Sequence, residues 1–160
     1  MGGDVRNLIN YLYLNMCTIK QILTVRDEIN PTEKEVSYAL LAVRIATGIF
    51  FATHGYAKFF GDKGLDGFAG MLDNMGFPIV GVLAFLVAFA ELFGGLAIIF
   101  GFLTRFSAFW LAIISIVAWW VAKGFELPKG DIDLLALGLT LALLAAGPGM
   151  MSVSAYFKKQ

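Results

Sequence analysis

Four long apolar stretches, separated by short polar segments, constrain this chain more than any other feature of its 160 residues. A helix needs about 20 mostly apolar residues to cross the hydrocarbon core of a bilayer. The stretches at 37–60, 80–101, 104–123 and 131–147 approach or meet that length. Hydrophobic residues make up 59% of the chain and charged residues only 15%, whereas a soluble domain has about 25% charged residues. The sequence therefore predicts an all-α integral membrane protein, a four-helix antiparallel bundle.

The counts of charged and metal-binding residues exclude several functions. Basic and acidic residues are equal, at twelve each, so no basic surplus points to nucleic acid. One cysteine, Cys17, and one histidine, His54, are too few for an iron–sulfur cluster, a thiolate zinc site or a haem held by two histidines of one chain. We therefore expect no intrinsic haem, iron–sulfur cluster or metal, and electrons for any redox reaction must come from elsewhere.

Two segments outside the apolar stretches carry helical patterns. Residues 1–36 repeat apolar residues at helical spacing among charges of both signs, too polar to span a membrane. We predict an amphipathic helix lying on the cytoplasmic membrane face or against a partner subunit, with residues 37–160 forming the membrane domain; a poorly ordered tail is the alternative. In the loop 61–78, apolar residues at the same spacing predict a short outer helix, either a lid or a well-packed loop.

Lysine and arginine near the ends of the stretches indicate the orientation in the membrane. With four spans, the N-terminus, the second-to-third turn and the C-terminus share one side. That side carries more basic residues than the other, namely Arg6, Lys20, Arg26, Lys34, Arg105, Lys158 and Lys159 against Lys58, Lys63, Lys123 and Lys129. We therefore expect both termini to be cytoplasmic.

Glu91 is the sharpest functional candidate, because ionisable residues at membrane depth are costly and are often functional. It lies in the middle of the second stretch, on a stripe of small residues: Gly81, Ala84, Ala88 and Gly95. Small residues permit close helix approach, so this stripe should face protein. A second stripe, of bulky residues, should face lipid: Val82, Leu86, Phe89, Phe93, Leu96 and Phe100. Glu91 should therefore point inward, either as a functional acid or as a purely structural partner.

Further candidates lie on the other stretches. Arg44, His54 and Lys58 share one arc of the first stretch; Arg44 and His54 can each reach towards the acid, and for Arg44 we expect an ion pair. Lys58 either contacts a ligand or extends its amine to the membrane surface. Asp133 either caps the fourth stretch or completes a polar cluster with His54 and Lys58. Trp119 belongs to an aromatic belt or walls a ligand pocket.

Several short motifs over about residues 40–154 resemble those of the DoxX family in order and spacing. They are LLAVRIATGIFFATHG continuing into HGYAKFFG, the loop GLDGFAGMLDNMGFP, then ELFGGLAIIFGFLTR, and finally GPGMMSVSAY. The family often carries an aspartate after the last serine, where Ala155 stands here. The resemblance implies a four-helix protein of the prokaryotic plasma membrane. Some members are membrane subunits of a thiosulfate:quinone oxidoreductase, and others are linked to redox stress or to quinone and catechol metabolism.

The leading hypothesis is the membrane subunit of a quinone-linked oxidoreductase, with quinone as its bound substrate and a redox partner subunit or a small reductant as electron source. Its candidate catalytic residues are Glu91 and His54. Its candidate substrate-binding residues are Lys58, Arg44, Asp133 and Trp119. The alternatives are a non-enzymatic scaffold of a larger redox complex and a small transporter, so whether the chain is an enzyme stays open, as does assembly with further copies of itself.

Overall fold

The computed structural model describes residues 32–158, and within this range the chain is helical with no strand. The helices are α1 Glu33–Phe60, α2 Gly64–Asn74, α3 Val80–Phe100, α4 Thr104–Val117, α5 Asp131–Ala146 and α6 Val153–Phe157. A π-helical segment, Ala118–Ala122, extends α4. The predicted amphipathic helix of residues 1–36 lies almost wholly outside the described residues, and its boundary with the membrane domain stays a prediction.

Three helices are long and apolar enough to cross a membrane: α1, α3 and Thr104–Ala122. The predicted all-helical membrane protein is therefore confirmed at this level. The helix α5 has 16 residues, fewer than the roughly 20 that a full span needs. It ends at Gly147, whose φ of 79° is left-handed, and Pro148 follows, so the helix cannot continue. A fourth span and the four-helix bundle stay predictions.

The helices α1 and α3 pack with their backbones almost in contact, because glycines face each other where they meet. A Cβ built at Gly55 would lie 2.3 Å from the backbone nitrogen of Leu92, and one at Gly95 would lie 2.6 Å from that of Ala52. Antiparallel packing at this distance tolerates no side chain. This close contact fixes how far α1 and α3 are shifted along each other, and therefore which polar residues of the two helices lie side by side.

The two stripes predicted on α3 separate largely as expected. The small residues Ala84, Ala88 and Gly95 are buried beside Glu91, and the bulky stripe is exposed, from 37% at Leu96 to 61% at Phe100. Gly81 is the exception and is exposed. It lies in the first turn of α3, beyond the end of α1, so no helix of that hairpin covers it.

The predicted helix of the loop 61–78 is present as α2. It packs against α3 and buries Leu72. Gly64, with a φ of 55°, allows the chain to turn directly from α1 into α2. The last two turns of α1 and the helix α2 thus line a common cleft.

Candidate functional site

Glu91 on α3 and Lys58 on α1 form an ion pair inside the protein. The Glu91 side chain is 7% exposed and that of Lys58 is 20% exposed. Because Gly55 contacts Leu92, Glu91 lies at the depth of the last turns of α1, where the long lysine side chain reaches it. The prediction that Glu91 points into the protein is confirmed.

Lys58 also borders a cleft of about 360 Å³ between the end of α1 and α2. The same cleft is lined by His54, by the backbone of Gly61 and Gly67, and by Phe68. The Lys58 Nζ atom lies 5.0 Å from the centre of the Phe68 ring, a cation–π distance. The lysine therefore joins the buried carboxylate on one side to the cleft on the other.

His54 lies one turn before Lys58 with an exposed side chain. Its Nδ1 is 2.8 Å from the Phe50 carbonyl oxygen. A carbonyl only accepts, so Nδ1 carries the proton in this contact, and Nε2 of the neutral ring is left as an acceptor. The structure thus brings His54 to the same cleft as Lys58, without a hydrogen bond between them.

Arg44 does not pair with Glu91, and this expectation was wrong. Its guanidinium is buried, 2% exposed, and donates four hydrogen bonds to backbone carbonyls. The acceptors are Ile98 at 3.0 Å, Ile99 at 2.8 Å, and Pro148 and Met151 at 2.7 Å each. Arg44 thus ties α1 to the end of α3 and to the chain that follows α5.

Helix depth explains why Arg44 binds there. Gly48 contacts Ile99, so Arg44, one turn earlier on α1, lies beside the last turn of α3 and several turns from Glu91. The last carbonyls of a helix have no partner within it and lie at the negative end of the helix dipole. A cation at that depth therefore finds its acceptors on the backbone.

Asp133 and Trp119 lie in a separate group between α4 and α5. Asp133 forms an ion pair with Lys123 and is not hydrogen-bonded to His54 or Lys58, so the polar cluster predicted for these three residues is not formed. Lys123 ends the third apolar stretch and Asp133 lies in the first turn of the fourth, so their positions on either side of one loop were the signal that sequence reasoning missed.

Trp119 lies in the π-helical segment and packs edge-on against Phe125, with ring centres 4.9 Å apart. Its buried indole nitrogen has no hydrogen-bond partner among the described residues. A Cβ at Gly130 would lie 2.3 Å from that nitrogen, so the ring packs directly on the backbone that leads into α5. Its part in ligand binding stays a prediction.

Comparisons with known proteins identify a family and similar bacterial proteins. The family model described as DoxX matches residues 39–124. The Bacillus subtilis (strain 168) protein named "Putative oxidoreductase CatD" is 29% identical over 128 residues, which is 79% of this chain and 92% of that protein. The Escherichia coli (strain K12) protein named "Inner membrane protein YqjF" is 32% identical over 126 residues, 76% of this chain and 93% of that protein. No solved structure matches the chain significantly. The match to the family and the apolar helices together show that this chain is a membrane protein of the DoxX family.

Proposed function

We propose that this chain is the membrane subunit of a quinone-linked oxidoreductase and that a quinone head group binds in the cleft between α1 and α2. The observation that carries the proposal is the buried Lys58–Glu91 pair, whose lysine borders that cleft. A charged pair inside a membrane protein is costly, and such pairs often mark substrate or proton sites. The name of one relative, "Putative oxidoreductase CatD", supports a redox role.

The cleft suits a flat, mostly apolar ring with carbonyl oxygens at its edge. Its volume of about 360 Å³ lies within the range of known small-molecule sites. Phe68 and Met71 supply apolar contacts, and Asp62 and Lys63 also line the cleft, with the Lys63 side chain packed against Gly67. An ammonium has three N–H donors, so Lys58 can bind Glu91 and still donate to a carbonyl oxygen in the cleft.

The described side chains supply proton chemistry, while the electrons come from a partner subunit or a small reductant such as thiosulfate. Reducing a quinone to a quinol consumes two electrons and two protons. Lys58 stabilises the negative charge that develops on a carbonyl oxygen and donates a proton to it. Glu91 holds the lysine in place and returns a proton to it. His54, whose Nδ1 is bonded to the Phe50 carbonyl, lines the same cleft.

Quinone binding is tested with the full chain purified in nanodiscs of native lipid, from which bound quinone is extracted and quantified. We expect Lys58→Met to lower the bound quinone about tenfold, the equivalent of one good hydrogen bond. Lys129→Met is the matched control, because Lys129 also pairs with a carboxylate, that of Glu126, but at an exposed position. Wild-type protein without bound quinone, or equal content in Lys58→Met, contradicts the proposal and favours a scaffold.

Proton transfer is tested with Glu91→Gln, which keeps the shape of the side chain and removes its acid. With decylubiquinone as acceptor and thiosulfate as reductant, we expect turnover in membranes to fall about 100-fold, the usual contribution of a proton-transferring group. Glu126→Gln, which alters an exposed carboxylate, should leave turnover unchanged. Normal turnover in Glu91→Gln would show that this acid has no part in the reaction.

A further inference from the structure

Besides Ser37, whose hydroxyl accepts from the backbone of Met150 and Met151, five buried hydroxyl groups lie inside the helix packing, apart from the cleft. Each belongs to a residue that is 8% exposed or less. They are Thr47 on α1, Thr104, Ser107 and Ser115 on α4, and Thr140 on α5. Hydroxyls are uncommon choices for an apolar interior, because each must find a hydrogen-bond partner there.

Contacts between helices place Thr47 and Thr104 at one depth. A Cβ at Gly101 would lie 2.7 Å from Nη2 of Arg44, so these two residues are neighbours. Thr104 begins α4 directly after the turn that follows Gly101, so it is level with Gly101. Thr47 precedes Gly48, which contacts Ile99, so Thr47 is level with the end of α3. Both threonines therefore lie at the depth of the Arg44 guanidinium.

The same reasoning places Ser115 at the depth of Glu91. A Cβ at Gly94 would lie 3.4 Å from the Leu111 side chain, so these residues face each other. The helices α3 and α4 are antiparallel. Ser115 lies one turn after Leu111 on α4, and Glu91 lies about one turn before Gly94 on α3. Because the two helices run in opposite directions, Ser115 and Glu91 therefore lie at the same depth.

The remaining hydroxyls lie between these two depths. Ser107 is one turn beyond Thr104 on α4. Arg105 donates to the Ala145 carbonyl at 3.2 Å, which places Thr140, five residues earlier on the antiparallel α5, beside the middle of α4. The set therefore forms a column that rises about 16 Å from Thr104 to Ser115 at 1.5 Å per residue.

The hydroxyls of Thr47 and Thr104 have no hydrogen-bond partner among the described residues, although they are only 1% and 2% exposed. Ser115 and Thr140 differ, since each donates to a carbonyl of its own helix at 2.9 Å and keeps its oxygen free to accept. An unpartnered buried hydroxyl is costly, and ordered water is the usual partner of such groups.

We infer that water occupies this column and that the column carries protons from the Arg44 end of the helices to Glu91. The inference rests on the proposed function, which requires a proton supply to that acid. Neighbouring hydroxyls differ in height by about 4–6 Å along the helix axis, and water molecules hydrogen-bonded between them complete the path. Each transfer breaks one O–H bond and forms the next, no electron moves, and the proton that enters beside Thr47 is balanced by the one that Glu91 passes to Lys58.

Radiolytic labelling in ¹⁸O-water tests the hydration of the column, with the full chain in nanodiscs. X-rays convert bound water into hydroxyl radicals that oxidise adjacent side chains, so buried Phe51 and Ile98 should acquire ¹⁸O. We expect Thr47→Val to lower that labelling about fivefold, because the valine removes a hydrogen-bond partner of the water. Thr53→Val is the control, since Thr53 is exposed and bonds only its own helix. Unlabelled Phe51 and Ile98 in the wild type would overturn the inference.

Turnover and quinone content test whether the hydrated column conducts protons. Thr47→Val should slow decylubiquinone reduction about tenfold, as loss of a proton relay does, and leave bound quinone unchanged, while Thr47→Ser restores the rate. Unchanged turnover in a variant that has lost its labelling refutes the proton path. If the wild type reduces no quinone, the proposed function fails, yet the labelling still decides whether the column holds water.

Discussion

The buried Arg44 and the partly buried Lys58 of α1 have different surroundings, although both lie on one arc of the helix. Arg44 is held by four backbone carbonyls, and Lys58 by one carboxylate. A guanidinium offers five N–H donors in a fixed plane and suits several acceptors at once, whereas an ammonium is a compact charge on a flexible stem. Arg44 therefore has a structural role, whereas Lys58 keeps N–H donors that can bind a ligand.

Separate and joint replacement of Lys58 and Glu91 tests the energetics of the pair. Lys58→Met leaves a buried carboxylate without its partner, so we expect the free energy of unfolding in detergent to fall by about 3 kcal/mol. The double variant Lys58→Met, Glu91→Leu should recover most of that loss, because two apolar side chains need no partner. A double variant no more stable than Lys58→Met would show that the two charges act independently.

Arg44→Lys tests the backbone tie. Lysine cannot reach all four carbonyls from one nitrogen, so about two hydrogen bonds to a charged group are lost, worth about 3 kcal/mol together. We expect a lower midpoint of thermal unfolding in detergent. Arg105→Lys is the matched control, because Arg105 is exposed and makes one bond of 3.2 Å; equal losses in the two variants would contradict the assigned role of Arg44.

At the scale of elements, the contact between α1 and α3 depends on glycine. Gly55→Ala would place its Cβ 2.3 Å from the Leu92 backbone, and since backbone cannot turn aside as a side chain does, the helices must separate. We expect a loss of about 2 kcal/mol, the usual cost of overpacking, in the same unfolding measurement. At Gly138 on α5 a Cβ meets nothing within 4 Å, so Gly138→Ala should stabilise the protein by up to about 1 kcal/mol. The decisive result is a lower free energy of unfolding in Gly55→Ala together with a higher one in Gly138→Ala.

The elements could be predicted from sequence more fully than the site. The stretch 80–101 corresponds to α3 at Val80–Phe100, because a run of apolar residues ending in glycine is a local signal. The burial of Glu91 followed from the small residues beside it. The acceptors of Arg44 did not, because they depend on the relative depth of α1 and α3 and on a loop that lies about 100 residues away in the chain.

At the scale of the whole molecule, the predicted orientation has both termini in the cytoplasm. Two single cysteines test it in a Cys17→Ser background, namely Lys129→Cys before α5 and Lys158→Cys after α6; both sites are exposed. In intact cells we expect an impermeant maleimide to label the first, and the second only after permeabilisation, because charged reagents do not cross the hydrocarbon core. The reverse labelling pattern would show that the protein has the opposite orientation, with the cleft on the cytoplasmic side.

The tie made by Arg44 also links the order of biosynthesis to the stability of the product. Two of its acceptors, Pro148 and Met151, leave the ribosome only after the helices α1 to α5 have been synthesised. Until then, the arginine of the earliest hydrophobic segment lacks half of its bonds inside the membrane, where each unmet donor is costly. A chain truncated before Pro148 therefore lacks two of the four acceptors of Arg44, and we expect it to be less stable in the membrane than the full chain.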